Sequence, residues 1–484
     1  MNIIKKLWLP ILVLFLFVSC KDKKNEAAQE LDIPQETYAL EDINDAVLES
    51  SVIYEANIRQ YSEEGSFEAF TKDIPQLKAL GVKIIWLMPI FPISETKRKA
   101  TGGDFAYKIK DEAARKKILG SYYAVSNYTK VNPKFGNLED FRNLVKTAHD
   151  NDMYVILDWV PNHTGWDHEW ITAHPDYYTQ NEKGEIIDPV NPDTGESWGW
   201  EDVADLNYDN QSMRNEMIAD MSYWITEEDI DGFRCDVASN VPTDFWKKAI
   251  PELRAKKGIF MLAEAWQPEL LKDHLFDMAY NWEGHHLMNH IVQGEKILSD
   301  LKDFMASNKT KYESDDILMN FVTNHDENSW NGTVKERLGN ASELMTALTY
   351  VMPGMPLIYS GQEYGLNHRL KFFEKDTIPK IKGDTWGLLK SLGQLKNDHK
   401  ALNGGKQAAG LNIIDIENSN VLILERVKQL EKLTFIGNFS SEVQTIKLPI
   451  SGSFIDFKAN QQVDYKSEQK LQLAPWEFKI LLNP

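Results

Sequence analysis

Between residues 51 and 359 the chain alternates short apolar runs with longer segments of helical length, and that alternation leaves few folds open. Eight runs have strand length: Ser51 to Arg59, Val82 to Pro89, Tyr154 to Val160, Gly232 to Val237, Ile259 to Ala265, Asp277 to Asn281, Ile317 to Thr323 and Pro356 to Tyr359. Helical stretches, such as Phe67 to Leu80 and Leu138 to Asn151, separate most of them. Strands joined this way run parallel, and eight such units closing on one another predict an α/β fold, a (β/α)8 TIM barrel whose chemistry sits where the strands end. Polar residues should then follow each apolar run. They do.

The third run ends in DWVPNHTG, which sets Asp158, Asn162 and His163 at the rim. The fourth, GFRCDVA, offers Arg234 and Asp236, which share a strand face because alternate residues point the same way. The fifth ends at Glu264, and the seventh runs into TNHDEN with His325 and Asp326. One acidic residue at a strand end is ordinarily a helix cap, and an isolated Arg-x-Asp is ordinarily a surface pair. Three carboxyls and two histidines delivered to one barrel mouth are not so explained. A guanidinium beside Asp236 would hold that carboxyl ionised, as an attacking carboxylate requires. Cys235 points to the other face and reads as a small buried hydrophobe.

Residues 164–205 lack a regular period and carry Trp166, Trp170, Trp198 and Trp200, which predicts a small inserted domain whose rings either stack on sugars or form its own core. Residues 94–121 mix a Gly-Gly turn with a charged stretch expected to be a solvated helix. From 401 to 484, alternating segments such as NVLILERV and KLTFIGNFS predict an antiparallel β-sandwich. The barrel is therefore assigned to 49–163 and 206–400.

At the N-terminus, Lys5 and Lys6 precede an apolar stretch from Leu7 to Val18, too short to span a bilayer of ~30 Å but suited to an export signal. The expectation is a signal peptide over 1–19, cleavage before a lipid-bearing Cys20 as in a bacterial lipobox, and a flexible tether to residue 48. The protein is then exported and lipid-anchored to a bacterial (outer) membrane, periplasmic or at the cell surface, with no other membrane contact. Its formal charge of −20 disfavours nucleic acid and anionic surfaces and is neutral toward a glycan.

GVKIIWLMP, DWVPNH, VADLN, GFRCDVA, LAEAW, FVTNHD and GMPLIYSGQE occur in that order, and with them the chain from Ser51 onward resembles the α-amylase family of retaining glycoside hydrolases (glycoside hydrolase family 13). The resemblance implies a barrel, an inserted domain after the third strand and a C-terminal sandwich. It also implies Asp236 as nucleophile, Glu264 as general acid/base and Asp326 as stabiliser, with Arg234, His163 and His325 around the sugar. Tyr123 falls at the family's stacking aromatic, with Tyr122 as its competitor. Asn162 and Asp205 match calcium ligands, so structural Ca2+ is the one cofactor expected; no organic cofactor is. Ser239-Asn240 stands where many amylases have Lys-His, and Val237 follows the nucleophile, where valine accompanies α-1,6 preference in some relatives. The implied substrate is a starch-like α-glucan or maltooligosaccharide, cut mainly at α-1,4 bonds. The alternatives are a cyclodextrinase, α-glucosidase or glucanotransferase on short oligosaccharides, or a non-catalytic glycan-binding barrel.

Overall fold

The computed structural model describes residues 40–191 and 194–484. The expected signal peptide, Cys20 and the tether as far as residue 39 lie outside the described residues. None of the described helices is long and apolar enough to cross a membrane.

Eight parallel strands close into a barrel: β1 (Val52–Ala56), β2 (Val82–Leu87), β3 (Tyr154–Trp159), β4 (Gly232–Cys235), β5 (Phe260–Ala263), β6 (Met278–Tyr280), β7 (Ile317–Asn320) and β8 (Met355–Tyr359). Each pairs with its neighbours in chain order, and β1 closes on β8 through Ile53–Leu357 and Tyr54–Ile358. Every predicted run holds one strand, yet the first is shorter than its apolar stretch. The Asn57 side chain accepts from the Gln60 amide and starts a helical turn over Ile58–Tyr61, ending β1 at Ala56. The stretch 67–80 is likewise three short helical pieces, because Pro75 sits in the first turn of Ile74–Leu77 and cannot continue the preceding helix.

Strand alternation sorts the barrel residues into two layers. Outward residues such as Tyr54, Ile85, Val155, Phe233 and Met261 pack under the helices, whereas Ile53, Ile84, Ile156, Phe260, Met278, Met319 and Leu357 fill the interior. Inside, one level toward the strand ends, the apolar filling that a barrel core normally has gives way to Glu55, Asp158 and Arg234, all buried. Gly232 opens β4 at φ +144°, and a Cβ there would lie 1.9 Å from the Phe260 carbonyl oxygen, so only glycine lets β4 approach β5.

The inserted stretch contributes an antiparallel pair, His163–Gly165 with Val203–Asp205. Beyond the barrel, six strands between Gly410 and Leu482 form an antiparallel sheet, and Gln444–Lys447 pairs with Lys470–Leu473 as a second sheet. Ile423, Ile436 and Leu481 face Ile446 and Leu473 between these sheets, while Leu422, Leu424 and Phe435 turn the other way into the main core. Both faces of the larger sheet are thereby buried.

Candidate active site

The barrel mouth holds a cleft of ≈ 370 Å³ lined by Tyr123, His163, Asp236, Glu264, His325 and Asp326, with Trp200, Trp330, Phe372 and Phe373 at its walls. The three candidate catalytic carboxyls are open to it: the Asp236, Glu264 and Asp326 side chains keep 11%, 17% and 36% exposure. Of the two tyrosines, Tyr123 lines the cleft. Tyr122 is buried under Arg59 and donates to Asn57.

Arg234 organises the centre. Its Nη1 reaches Asp158 and Asp236, each at 2.8 Å, its Nη2 reaches Glu264 at 2.9 Å, and its Nε donates to the Tyr280 hydroxyl at 3.2 Å. Trp86 lies beneath, with the guanidinium 5.0 Å from its ring centre. The Asp236 and Glu264 carboxyls thus meet on one guanidinium.

The protonation pattern differs from the expected one. Burial raises Asp236 well above the usual carboxylate range, and the neighbouring Glu264 adds to this. Glu264 is lowered: burial alone would raise it, but Arg234 and the Val237 N–H, which donates to Oε2 at 2.7 Å, outweigh burial. Burial and the mutual repulsion of the two carboxylates therefore favour one proton shared by the pair in the free molecule. Arg234 gives Asp236 a nitrogen that Asp158 shares, and gives Glu264 one of its own. Val237 offers its N–H from a left-handed conformation, φ 41°, which a β-branched residue rarely adopts. Strain of this kind collects at functional sites.

His163 is buried, and burial lowers it to about 3, so the ring is neutral. Asn162 donates to its Nδ1 at 3.2 Å, leaving the proton on Nε2. Asp205 pairs with His163 across the ribbon, and burial lifts its carboxyl to about 6. No described basic group forms an ion pair with it. Oxygen donors of this kind suit Ca2+, which takes about six to eight of them. The two side chains would supply a minority of the shell, and the described residues contain no cluster of three or more acidic, His or Cys groups. Ser239 and Asn240 lie exposed in a short turn and do not line the cleft.

The tryptophans of the insertion divide. Trp170 is buried against Tyr128, His168 and Tyr177. Trp200 faces the cleft 5.9 Å from His163 and carries Trp198 stacked at 6.0 Å, 44% exposed. The opposite wall steps from Tyr123 to Phe372 at 6.3 Å and on to Trp330 at 5.1 Å. The 94–121 segment does supply the solvated helix, Glu112–Lys117, and it also clasps the insertion: Lys97 sits 3.3 Å over Trp166, and Lys99 bonds the Gly199 carbonyl while facing the cleft. The sequence set Asp158 at the rim, whereas it is buried inside the barrel on Arg234; Glu55, Lys99, Tyr280, Trp330, Phe372 and Phe373 received no role from it. For Asp158 the inward register two residues before the end of β3's run was a usable signal; the rim aromatics lie in loops without a period.

The barrel mouth thus presents a carboxyl pair on a shared guanidinium. The family model for the alpha amylase catalytic domain matches residues 41–400, and the chain belongs to that family, whose members act on glucans as hydrolases and transferases. It is 24% identical over 416 residues to alpha-amylase MalA of Haloarcula japonica, covering 83% of this chain and 57% of that protein, and so spans little more than half of that relative's length. It is 28% identical over 335 residues to the 4-alpha-glucanotransferase of Thermotoga neapolitana, covering 62% and 68%. Among solved structures, the maltogenic alpha-amylase AmyB of Thermotoga neapolitana superposes with a TM-score of 0.77 at 27% identity, covering 90% of this chain and 98% of that one.

Proposed function

We propose that the protein hydrolyses α-glucosidic bonds, mainly α-1,4, of starch-like glucans or maltooligosaccharides with retention of configuration. The observation that carries this reading is the convergence of Asp236 and Glu264 on Arg234 inside an open cleft. With a sugar seated between the carboxyls, the proton of the pair is held by Glu264 as Arg234 turns its charge toward Asp236. The Asp236 carboxylate then bonds the anomeric carbon while the bond to the leaving oxygen breaks and takes the Glu264 proton. Water next attacks the anomeric carbon, gives its proton to Glu264 and frees Asp236. Asp326 holds ring hydroxyls as positive charge develops, Tyr123 stacks on the ring, and the neutral His163 donates from Nε2.

The experiment is proton NMR of a maltooligosaccharide digest at early times. The α-anomer appearing first supports the reading; the β-anomer first overturns it. Transfer to a second glucan is the second reading, favoured by the likeness to a glucanotransferase. Products longer than the substrate would establish it.

Ca2+ held by the Asn162 and Asp205 oxygens is part of the proposal, as a structural ion that would offset the buried Asp205 charge. EDTA should then lower the melting temperature and added Ca2+ should restore it. Export and a lipid anchor on Cys20 complete the proposal, resting on the sequence of residues 1–20; labelling with radioactive palmitate, lost in Cys20→Ala, tests it.

A further inference from the structure

The interior of β1 carries a carboxylate that the mechanism above does not use. Glu55 is wholly buried, and its Oε1 lies 2.5 Å from Nδ1 of His325. Its other oxygen, Oε2, has no hydrogen-bond partner. Among the described residues His325 is therefore the only group hydrogen-bonded to this carboxylate, and removing the imidazole charge would strand a buried anion.

The other ring nitrogen faces further acceptors. Nε2 of His325 is 2.8 Å from the Tyr123 hydroxyl and 3.3 Å from Oδ2 of Asp326. The one proton of the Tyr123 hydroxyl is directed to Oδ2 of Asp158 at 3.1 Å, so its oxygen is left to accept from Nε2. Both ring nitrogens then act as donors, which only the imidazolium can do. The remaining neighbours are Trp86, whose ring meets His325 edge-on at 6.0 Å, and the more distant charges of Arg234 and Glu264.

We propose that Glu55 is a positioning residue that keeps His325 doubly protonated and aimed at Asp326, so that the Nε2 proton is available to sugar hydroxyls through neutral and mildly alkaline pH. This rests on the α-glucan reading for its functional meaning. Its charge logic agrees with the direction of titration: burial alone would lower His325, but Asp326 and Glu55 together raise it to about 9. In Glu55→Gln the amide can still accept from Nδ1–H but carries no charge. The ring then loses one of its two anionic partners and the alkaline limb of activity moves toward acid.

The test measures kcat and KM of wild type and E55Q on 4-nitrophenyl maltooligosaccharide between pH 5 and 10, together with the His325 imidazole titration followed by NMR in 13C-histidine protein. The expected result is a wild-type imidazolium persisting past pH 8, an alkaline limb displaced by about one pH unit or more in E55Q, and a fall of about tenfold in kcat at pH 8 with a smaller change in KM. An unmoved limb and an unmoved imidazole titration in E55Q overturn the proposal. A wild-type ring neutral at pH 7.5 overturns it as well, without needing the variant to fold. Should the wild type cleave no glucan, the functional reading falls separately, and the imidazole titration still decides the role of Glu55.

Discussion

Two cations of this molecule are equally hidden from solvent and entirely different in use. Arg234 and Lys396 both have no exposure. Around Arg234 stand Asp158, Asp236 and Glu264. Among the described residues the Lys396 ammonium donates only to backbone carbonyls, those of Glu49, Gly354 and Leu402. A planar fork can bridge several carboxyls at once, so Arg234 gathers more negative charge than it neutralises and leaves one proton to be shared. A compact ammonium with three donors fits three carbonyls, and Lys396 pins the start of the barrel, the approach to β8 and the exit toward the C-terminal sheet. Burial raises the cost of both charges; the partners decide whether that cost becomes reactivity or rigidity.

The contrast breaks most visibly at the carboxyls. Asp236→Asn and Glu264→Gln should each lower kcat/KM by at least about 10³-fold, while circular-dichroism melts stay within a few degrees of wild type. Loss of fold in both would merge the two regions into one structural role. Lys396→Met should do the reverse: about 3 kcal/mol less stability in urea unfolding, since buried carbonyls lose their donor, with kcat per folded molecule unchanged. A smaller effect belongs to the rim. Trp198→Ala should raise KM for maltoheptaose roughly fivefold, or about 1 kcal/mol, leave kcat alone, and barely alter KM for maltotriose.

A further effect is on stability against pH. His325 is raised in the fold to about 9 from an unfolded value of ~6.5. Its contribution to stability is therefore complete below ~6.5 and is lost as pH rises through about 9. Melting temperature should decline across that window in wild type and more shallowly in His325→Gln.

Much of this was legible in the sequence, and the physical reason is the parallel barrel itself. Strands buried on both faces read as continuous apolar runs, so all eight could be located, and a carboxyl just past such a run is placed at the mouth by topology alone. What could not be read is what depends on contacts between distant segments. Glu55 lies inside an apolar run and gains meaning only because His325 arrives 270 positions later. How Asp236 and Glu264 share a proton depends on how Arg234 divides its nitrogens and on the Val237 amide, neither of which a motif encodes. The division of the insertion tryptophans, Trp170 inward and Trp200 toward the cleft, rests on loop geometry without a period.

The shared-proton centre is tested most directly by trapping the bond it is built to make. Incubation with 5-fluoro-α-D-glucosyl fluoride, followed by proteolysis and mass spectrometry, should find one sugar on the peptide holding Asp236 and none on Glu264 or Asp326. A label on Glu264 instead, or retained turnover of maltooligosaccharide in Asp236→Asn, would contradict the account.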